Sequence, residues 1–315
     1  AIATAAAANT LAVSGKDIVI KDQSNELKRM FEWLDCGMNA NLVTLMVGMN
    51  DPRLPLYMTK NADDITNEKG VTTPKGSVYC GIRYASGMKQ KGSDGWYGHK
   101  MSQWVGSYNT PLPIFKAAEA YFLLAEAKLR WNIGGTSVKD LYEQGIRLSI
   151  KNELAYKGSF AGIENISDAD IDDYINGTTG QADYVDPGDS EHNCKAVNTL
   201  GVKWDDAASK EDQLARIQTQ KYIALFPLSN EGWAEQRRTG YPKFFVALVN
   251  KSNGAVDTQE GVRRVIYSSN AYDTNAEGIK GGIELLDKEN TSKKGISGDK
   301  GGTHLWWDNA NKGNF

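Results

Sequence analysis

Tyr79, Tyr84, Trp96, Tyr97, Trp104 and Tyr108 fall within 30 residues of one another, among Gly, Ser and charged side chains. Their spacing has neither the period of 2 nor the period of 3.6 that would make them a core face. Rings with a polar tip suit a wet, adaptable binding site. A sugar presents flat C–H faces that stack on such rings, while its hydroxyls need Asn, Asp, Arg or Lys partners. The stretch Gly92-Ser93-Asp94-Gly95-Trp96-Tyr97-Gly98-His99-Lys100 supplies both ingredients. All six aromatics are therefore candidates for ligand contact, led by Trp96, Tyr97 and Trp104. The competing reading has them pinning the loop.

Other chemistries find less to stand on. Asp168, Asp170, Asp172 and Asp173, continuing to Asp183, Asp186 and Asp189, offer the hard oxygens that calcium prefers, without the spacing of an EF-hand loop. A solvated acidic face is the competing reading, so no cofactor is expected. Cys36, Cys80 and Cys194 are odd in number and far apart, and His99, His192 and His304 are scattered. Neither set has metal-ligand or disulfide-framework spacing. A glycosidase needs two carboxylates flanking the scissile bond. Thirty-nine acidic residues supply many pairs, yet no motif singles one out. The sequence holds no Gly-x-Ser-x-Gly elbow, phosphate loop or dinucleotide fingerprint. No enzyme is expected.

The elements that must position these residues read as helices joined by long loops. Phe115, Ala118, Phe122, Ala125 and Leu129 form one apolar stripe, after Pro111 and Pro113 in positions that a helix start tolerates. Gly134-Gly135 ends that helix, and a second follows from about Val138 to Tyr156, giving an αα-hairpin with a tetratricopeptide-like small-residue pattern. Ser209 with Asp212 predicts the cap of another helix, followed by a short one over about Glu231–Arg238 that stops at Thr239-Gly240-Tyr241-Pro242. The helical blocks thus span about 111–157 and 209–249. Polar, Gly-rich excursions fill about 60–110, 158–208 and 250–303. Arg264-Val265-Ile266-Tyr267 suggests at most a short β-hairpin.

The bulk numbers fit that picture. The 315 residues are 40% hydrophobic and 24% charged, which supports a substantial core under an ordinary globular surface. A net charge of −3 argues against a nucleic-acid partner. No run of about 18 apolar residues is present to span a bilayer. The Ala-rich opening, Ala1 to Ala12, lacks the basic start of a signal peptide and reads as a helix fragment.

Five separated segments stand out: Asn50-Asp51-Pro52-Arg53-Leu54; Ala118-Glu119-Ala120-Tyr121 through Ala125-Glu126-Ala127; Ile217 to Ala224 with Glu231-Gly232-Trp233 and Arg237-Arg238-Thr239-Gly240-Tyr241-Pro242; Arg263-Arg264-Val265-Ile266-Tyr267 with Asn275; and Leu305-Trp306-Trp307-Asp308. Together they resemble the SusD/RagB family. Order and spacing agree over roughly residues 25–310. A proline frequent in relatives is missing from Arg264–Tyr267. The family's lipoprotein signal, lipidated cysteine and N-terminal helices are not visible, so the chain reads as the C-terminal portion of a longer protein, a single SusD-like domain over 1–315.

The resemblance implies a mostly α, tetratricopeptide-like fold with long irregular loops. It implies a non-catalytic nutrient-binding lipoprotein of Bacteroidetes, lipid-anchored on the cell-surface face of the outer membrane. Such a protein captures a glycan for polysaccharide utilization and delivers it to a SusC-like TonB-dependent transporter. The alternative is a peptide- or protein-binding tetratricopeptide-type module of the same uptake system. The motif residues Asp51, Arg53, Glu119, Glu126, Trp233, Arg237, Arg238, Trp306 and Trp307 read as structure. Asp51 and Arg53 make a turn and an ion pair, and Arg237 stacks on Trp233 or pairs with Glu119 or Glu126. Trp306 and Trp307 anchor the C-terminal tail.

Overall fold

The computed structural model describes residues 14–21, 37–107, 110–308 and 313–315. Tyr108, Cys36 and the Ala-rich opening as far as Ala12 lie outside the described residues. The chain divides into two compact units: Ala1–Arg83, Met88–Gln236 and Tyr241–Phe245 form the first, and Tyr84–Gly87, Arg237–Gly240 and Val246–Phe315 the second.

The first unit is mostly helical. Its helices are α1 (Ala40–Gly48), α2 (Leu54–Tyr57), α3 (Ala117–Trp131), α4 (Val138–Ala161), α5 (Asp168–Ile175), α6 (Lys210–Leu225) and α7 (Ser229–Thr239), whose last turn belongs to the second unit. Strands β1 (Ile18–Ile20) and β6 (Leu112–Phe115), β2 (Met58–Asn61) and β5 (Ser102–Trp104), and β3 (Ile65–Thr66) and β4 (Thr72–Thr73) form three antiparallel pairs.

The expected αα-hairpin is α3 and α4, and α6 packs against both. Ala118, Phe122, Ala125 and Leu129 are buried along α3, facing Tyr142, Ile146 and Ile150 of α4 in one core cluster. Gly145 lets the pair close: a Cβ there would stand 2.9 Å from the Phe122 ring. The first helix ends at Asn132 in the left-handed conformation, and the second runs on to Gly162, past the expected Tyr156. The Ser209 hydroxyl accepts the Asp212 amide as its spacing predicts.

Four expectations are corrected. Phe115, Pro111 and Pro113 do not open α3; Pro113 and Phe115 sit in β6, where Val19 pairs with Pro113. A two-stranded pairing tolerates proline because each strand keeps a free edge. The 158–208 excursion contains α5, started by a reciprocal capping box between Ser167 and Asp170. The 250–303 excursion contains α8 (Ser269–Thr274) and α9 (Ala276–Glu289), begun by Ser268 and Asn275 side chains that accept the Ala271 and Gly278 amides. Arg264–Tyr267 is not a strand: the Tyr267 amide and the Arg264 guanidinium both donate to Asp299.

Candidate functional site

Three strips of chain in the first unit enclose a cleft of about 380 Å3. The first is α1, capped by Asn39, whose side chain accepts the Asn41 amide at 2.8 Å. It offers Val43, Thr44 and Val47, residues one turn apart on one face. The second is the segment leading out of β4, from Val78 to Gly81. It is tied to the start of α1 by Ala40 N–H to the Ile82 carbonyl (3.0 Å) and Ile82 N–H to the Met38 carbonyl (2.7 Å). The third runs from Ala182 to Pro187. Ala182 N–H donates to the Thr44 carbonyl at 3.0 Å, and the Tyr184 hydroxyl to the Gly81 carbonyl at 2.9 Å. A Cβ on Gly48 would lie 2.2 Å from the Ala182 nitrogen, so only glycine lets the third strip reach the end of α1.

Val78, Val185 and Asp183 are exposed at the mouth, while Val43, Thr44 and Cys80 are buried at the floor. Tyr79 is half-buried in the wall, and burial raises its phenol pKa. The Lys60 ammonium lies 5.9 Å from its ring centroid.

Behind this cleft, Asp186 is a buried carboxylate on which five residues converge, the Asp189 amide at 3.3 Å among them. Its oxygens accept the Tyr97 hydroxyl at 3.0 Å, the Tyr184 hydroxyl at 3.0 Å and the Gly188 amide at 2.9 Å, and lie 2.9 Å from His192 Nδ1. Burial and then the Asp186 charge hold both tyrosines far above the ordinary phenol range. Arg83 donates to the His192 carbonyl at 2.8 Å. The 183–193 segment is thereby fastened to the aromatic loop.

The six aromatics separate. Tyr79 lines the cleft. Tyr97 holds the loop through Asp186 and packs with Ile65, Cys80 and Met101. Trp96 is half-buried, its ring 4.5 Å from that of His99. Trp104 is 7% exposed in β5, edge-on to Phe226 and beneath the Lys157 ammonium, so it belongs to the core rather than to a solvent-facing site. Tyr84 is exposed and belongs to the second unit. Tyr108 lies outside the described residues. Sequence reasoning passed over Val185 and Pro187 because it read their neighbourhood as acid-rich loop, and over Val78 because it read 60–110 as a polar, Gly-rich excursion. The signal was an apolar residue between Asp183 and Asp186, with proline next.

The acidic stretch is dispersed. Asp170 caps α5, Asp172 pairs with Arg147, Asp183 with Lys195, and Asp189 accepts the Glu191 amide. Among the described residues no group of three or more His, Cys, Asp or Glu is placed to hold a metal ion.

Of the motif residues, Asp51, Arg53, Glu119 and Glu126 are buried, Trp233, Arg237 and Trp307 half-buried, and Arg238 and Trp306 exposed. Asp51 and Arg53 form a buried pair, with Arg53 Nε 2.9 Å from Asp51 Oδ1. Glu119 pairs with Lys221, and Glu126 with Arg130 and Gln218. Trp233 and Arg238 lie on α7. Arg237 stands 4.9 Å from the Trp307 ring centroid and donates to the Arg263 carbonyl, a partner that helical spacing did not suggest. Trp307 is half-buried, whereas Trp306 is 72% exposed, so Trp306 does not anchor the tail.

Residues 3–308 match the family model described as SusD-like, Susd and RagB outer membrane lipoprotein. The chain belongs to this family. Solved structures agree with the fold. A SusD homologue from Bacteroides thetaiotaomicron is 34% identical, with 86% of this chain covering 51% of that one at a TM-score of 0.70. A chitin-binding SusD homologue from Flavobacterium johnsoniae is 33% identical, with 95% covering 55% at 0.75. A SusD homologue from Bacteroides vulgatus is 32% identical, with the same coverage and TM-score. The chain therefore spans about half the length of these relatives. Among curated proteins nothing matches.

Proposed function

We propose that this chain is the glycan-capturing part of a non-catalytic nutrient-binding lipoprotein on the cell-surface face of the outer membrane. In this reading it hands its ligand to a SusC-like TonB-dependent transporter. The observation that carries the proposal is family membership together with 33% identity, over 95% of the chain, to a homologue described as chitin-binding. The cleft beside Tyr79 supports the reading, since it combines an aromatic wall with a size in the usual range of small-ligand pockets. Trp96, half-buried and outside the cleft lining, is a further candidate for ligand contact.

The test is affinity electrophoresis against plant, host and microbial polysaccharides, with Trp96→Ala and Tyr79→Ala variants alongside. Retardation by a glycan, weakened in a variant and without release of shorter sugars, supports the proposal. A folded protein retarded by no glycan overturns it. Release of shorter sugars overturns its non-catalytic half.

A further inference from the structure

The cleft has a composition that plain hydroxylated sugar does not call for. Four valines line it, Val43, Val47, Val78 and Val185, together with Ala182 and Pro187. The Thr44 hydroxyl is already used within the fold, donating to the Ala40 carbonyl at 2.7 Å and accepting from Gln181 Nε2 at 2.9 Å. Three further polar groups border this aliphatic lining, the Tyr79 phenol in the wall, the half-buried Thr73 hydroxyl and the exposed Asp183 carboxylate at the mouth. Asp183 accepts Lys195 Nζ on one oxygen and the Ala196 amide on the other, and each oxygen retains a further lone pair.

Hydroxyls pressed against valine side chains lose their water without replacement, which is unfavourable. A methyl group gains from the same wall. The ligand that fits therefore carries a methyl beside a hydrogen-bonding group on a ring whose C–H face can lie on a tyrosine. An acetamido substituent has these parts: a methyl for the valines, an N–H for a carboxylate, and a carbonyl oxygen for a phenol.

We infer that the Val43–Tyr79–Val185 cleft is a subsite for the acetamido group of an N-acetylated sugar, which makes this chain select N-acetylhexosamine glycans over their plain hydroxylated counterparts. The inference rests on the glycan-binding reading and adds the ligand's chemical class.

Chitopentaose and cellopentaose share a β-1,4 backbone and differ at the acetamido position, so they isolate the feature. Calorimetric titration of the 315-residue chain with each should give binding of chitopentaose about ten- to a hundredfold tighter, the discrimination a shaped apolar pocket supplies. Val185→Asp puts charge at the mouth on a side chain 67% exposed, so the fold should survive, as its thermal melt will show. It should remove most of that preference by weakening chitopentaose alone. Equal affinity for the two oligosaccharides, or a preference that Val185→Asp and Val78→Asp both leave intact, overturns the subsite. Binding confined to a glycan without acetamido groups overturns it too, while the glycan-binding reading stands. Binding of no glycan at all overturns both.

Discussion

The Tyr97 hydroxyl lies 3.0 Å from both carboxylate oxygens of Asp186, a residue 89 positions further along the chain. Tyr184 and His192 reach the same carboxylate, so one buried charge joins the aromatic loop to the segment carrying Val185 and Pro187. Tyr97→Phe removes a hydrogen bond to a charged group and should cost about 1.5–3 kcal/mol. The Gly188 amide also bonds Asp186, so its hydrogen exchange should accelerate in the variant by more than global unfolding accounts for. Unchanged exchange at Gly188 would show that the two segments are not held through this carboxylate.

Gly48→Ala places a methyl where the backbone of Gly180–Ala182 passes, with the nearest atom at 2.2 Å. Overpacking against main chain costs about 1–3 kcal/mol, and here it also pushes the third wall of the cleft away from α1. Chemical denaturation should show the loss of stability. The Ala182 amide, bonded to the Thr44 carbonyl, should lose protection along with it. Gly134→Ala, where a Cβ meets nothing within 4 Å, is a comparison that carries only the strain of its positive φ.

The sequence made the helical scaffold legible because its signals are local. The stripe Ala118, Phe122, Ala125, Leu129 and the cap Ser209–Asp212 need only neighbours along the chain. What it misjudged depends on distant partners. Phe115 and Pro113 look like a helix start until β1 supplies a strand for them to pair with. Trp104 looks like a loop aromatic until Met58 pairs with it across β2 and β5 and Phe226 packs on it. The α9 helix hides among Gly278, Gly281 and Gly282, because its start comes from the Asn275 cap and its burial from only Ile279 and Leu286. The cleft was half visible: Tyr79 stood out as an aromatic, whereas Val185 gained its meaning only from Val43 and Val47 opposite.

Cys80 is 4% exposed, and burial pushes its thiol up to about 11. At pH 8 its thiolate fraction is about two orders of magnitude below that of an ordinary thiol, and the thiolate is the reactive form. Iodoacetamide followed by peptide mapping should therefore leave Cys80 largely unmodified in the native protein and modify it promptly in urea. Its native rate should climb with pH towards 11. Rapid native alkylation at pH 8 would mean that the cleft floor opens.

Arg53 is fully buried, and its guanidinium serves Asp51, Ser149, Tyr174 and Gln220, tying the turn before α2 to helices α4, α5 and α6. Asp51→Ala strands that charge inside the core. Breaking one side of a buried pair costs about 3–5 kcal/mol. The urea midpoint should fall accordingly with an unchanged slope. A loss below about 1 kcal/mol, the range of exposed pairs, would mean that water reaches the guanidinium.

Glu153 is buried between two ammonium groups, Lys116 and Lys157, and the Lys157 nitrogen also stands 4.8 Å from the Tyr57 ring centroid and 5.4 Å from that of Phe226. Burial alone would raise the Glu153 pKa, but the two lysines outweigh it and hold the carboxyl below 4.5. Its contribution to stability is therefore present above the unfolded pKa and is lost as pH falls through the folded one. Lys157 is shifted down by burial, only partly offset by Glu153. That shift makes its charge a cost at neutral pH, relieved as pH rises from the lowered pKa towards 10.5. Glu153→Gln leaves two buried ammonium groups without their shared partner and should cost about 3–5 kcal/mol at pH 7. Lys157→Met keeps the Lys116–Glu153 pair and fills an aromatic-lined space, so it should cost far less. The double variant should recover part of the Glu153→Gln loss. Glu153→Gln should also flatten the decline in stability below pH 4.5, measured by urea denaturation across pH 3 to 7. If Lys157→Met proves as damaging as Glu153→Gln, or the acid decline is unchanged without Glu153, the carboxylate is not what makes the two buried lysines tolerable.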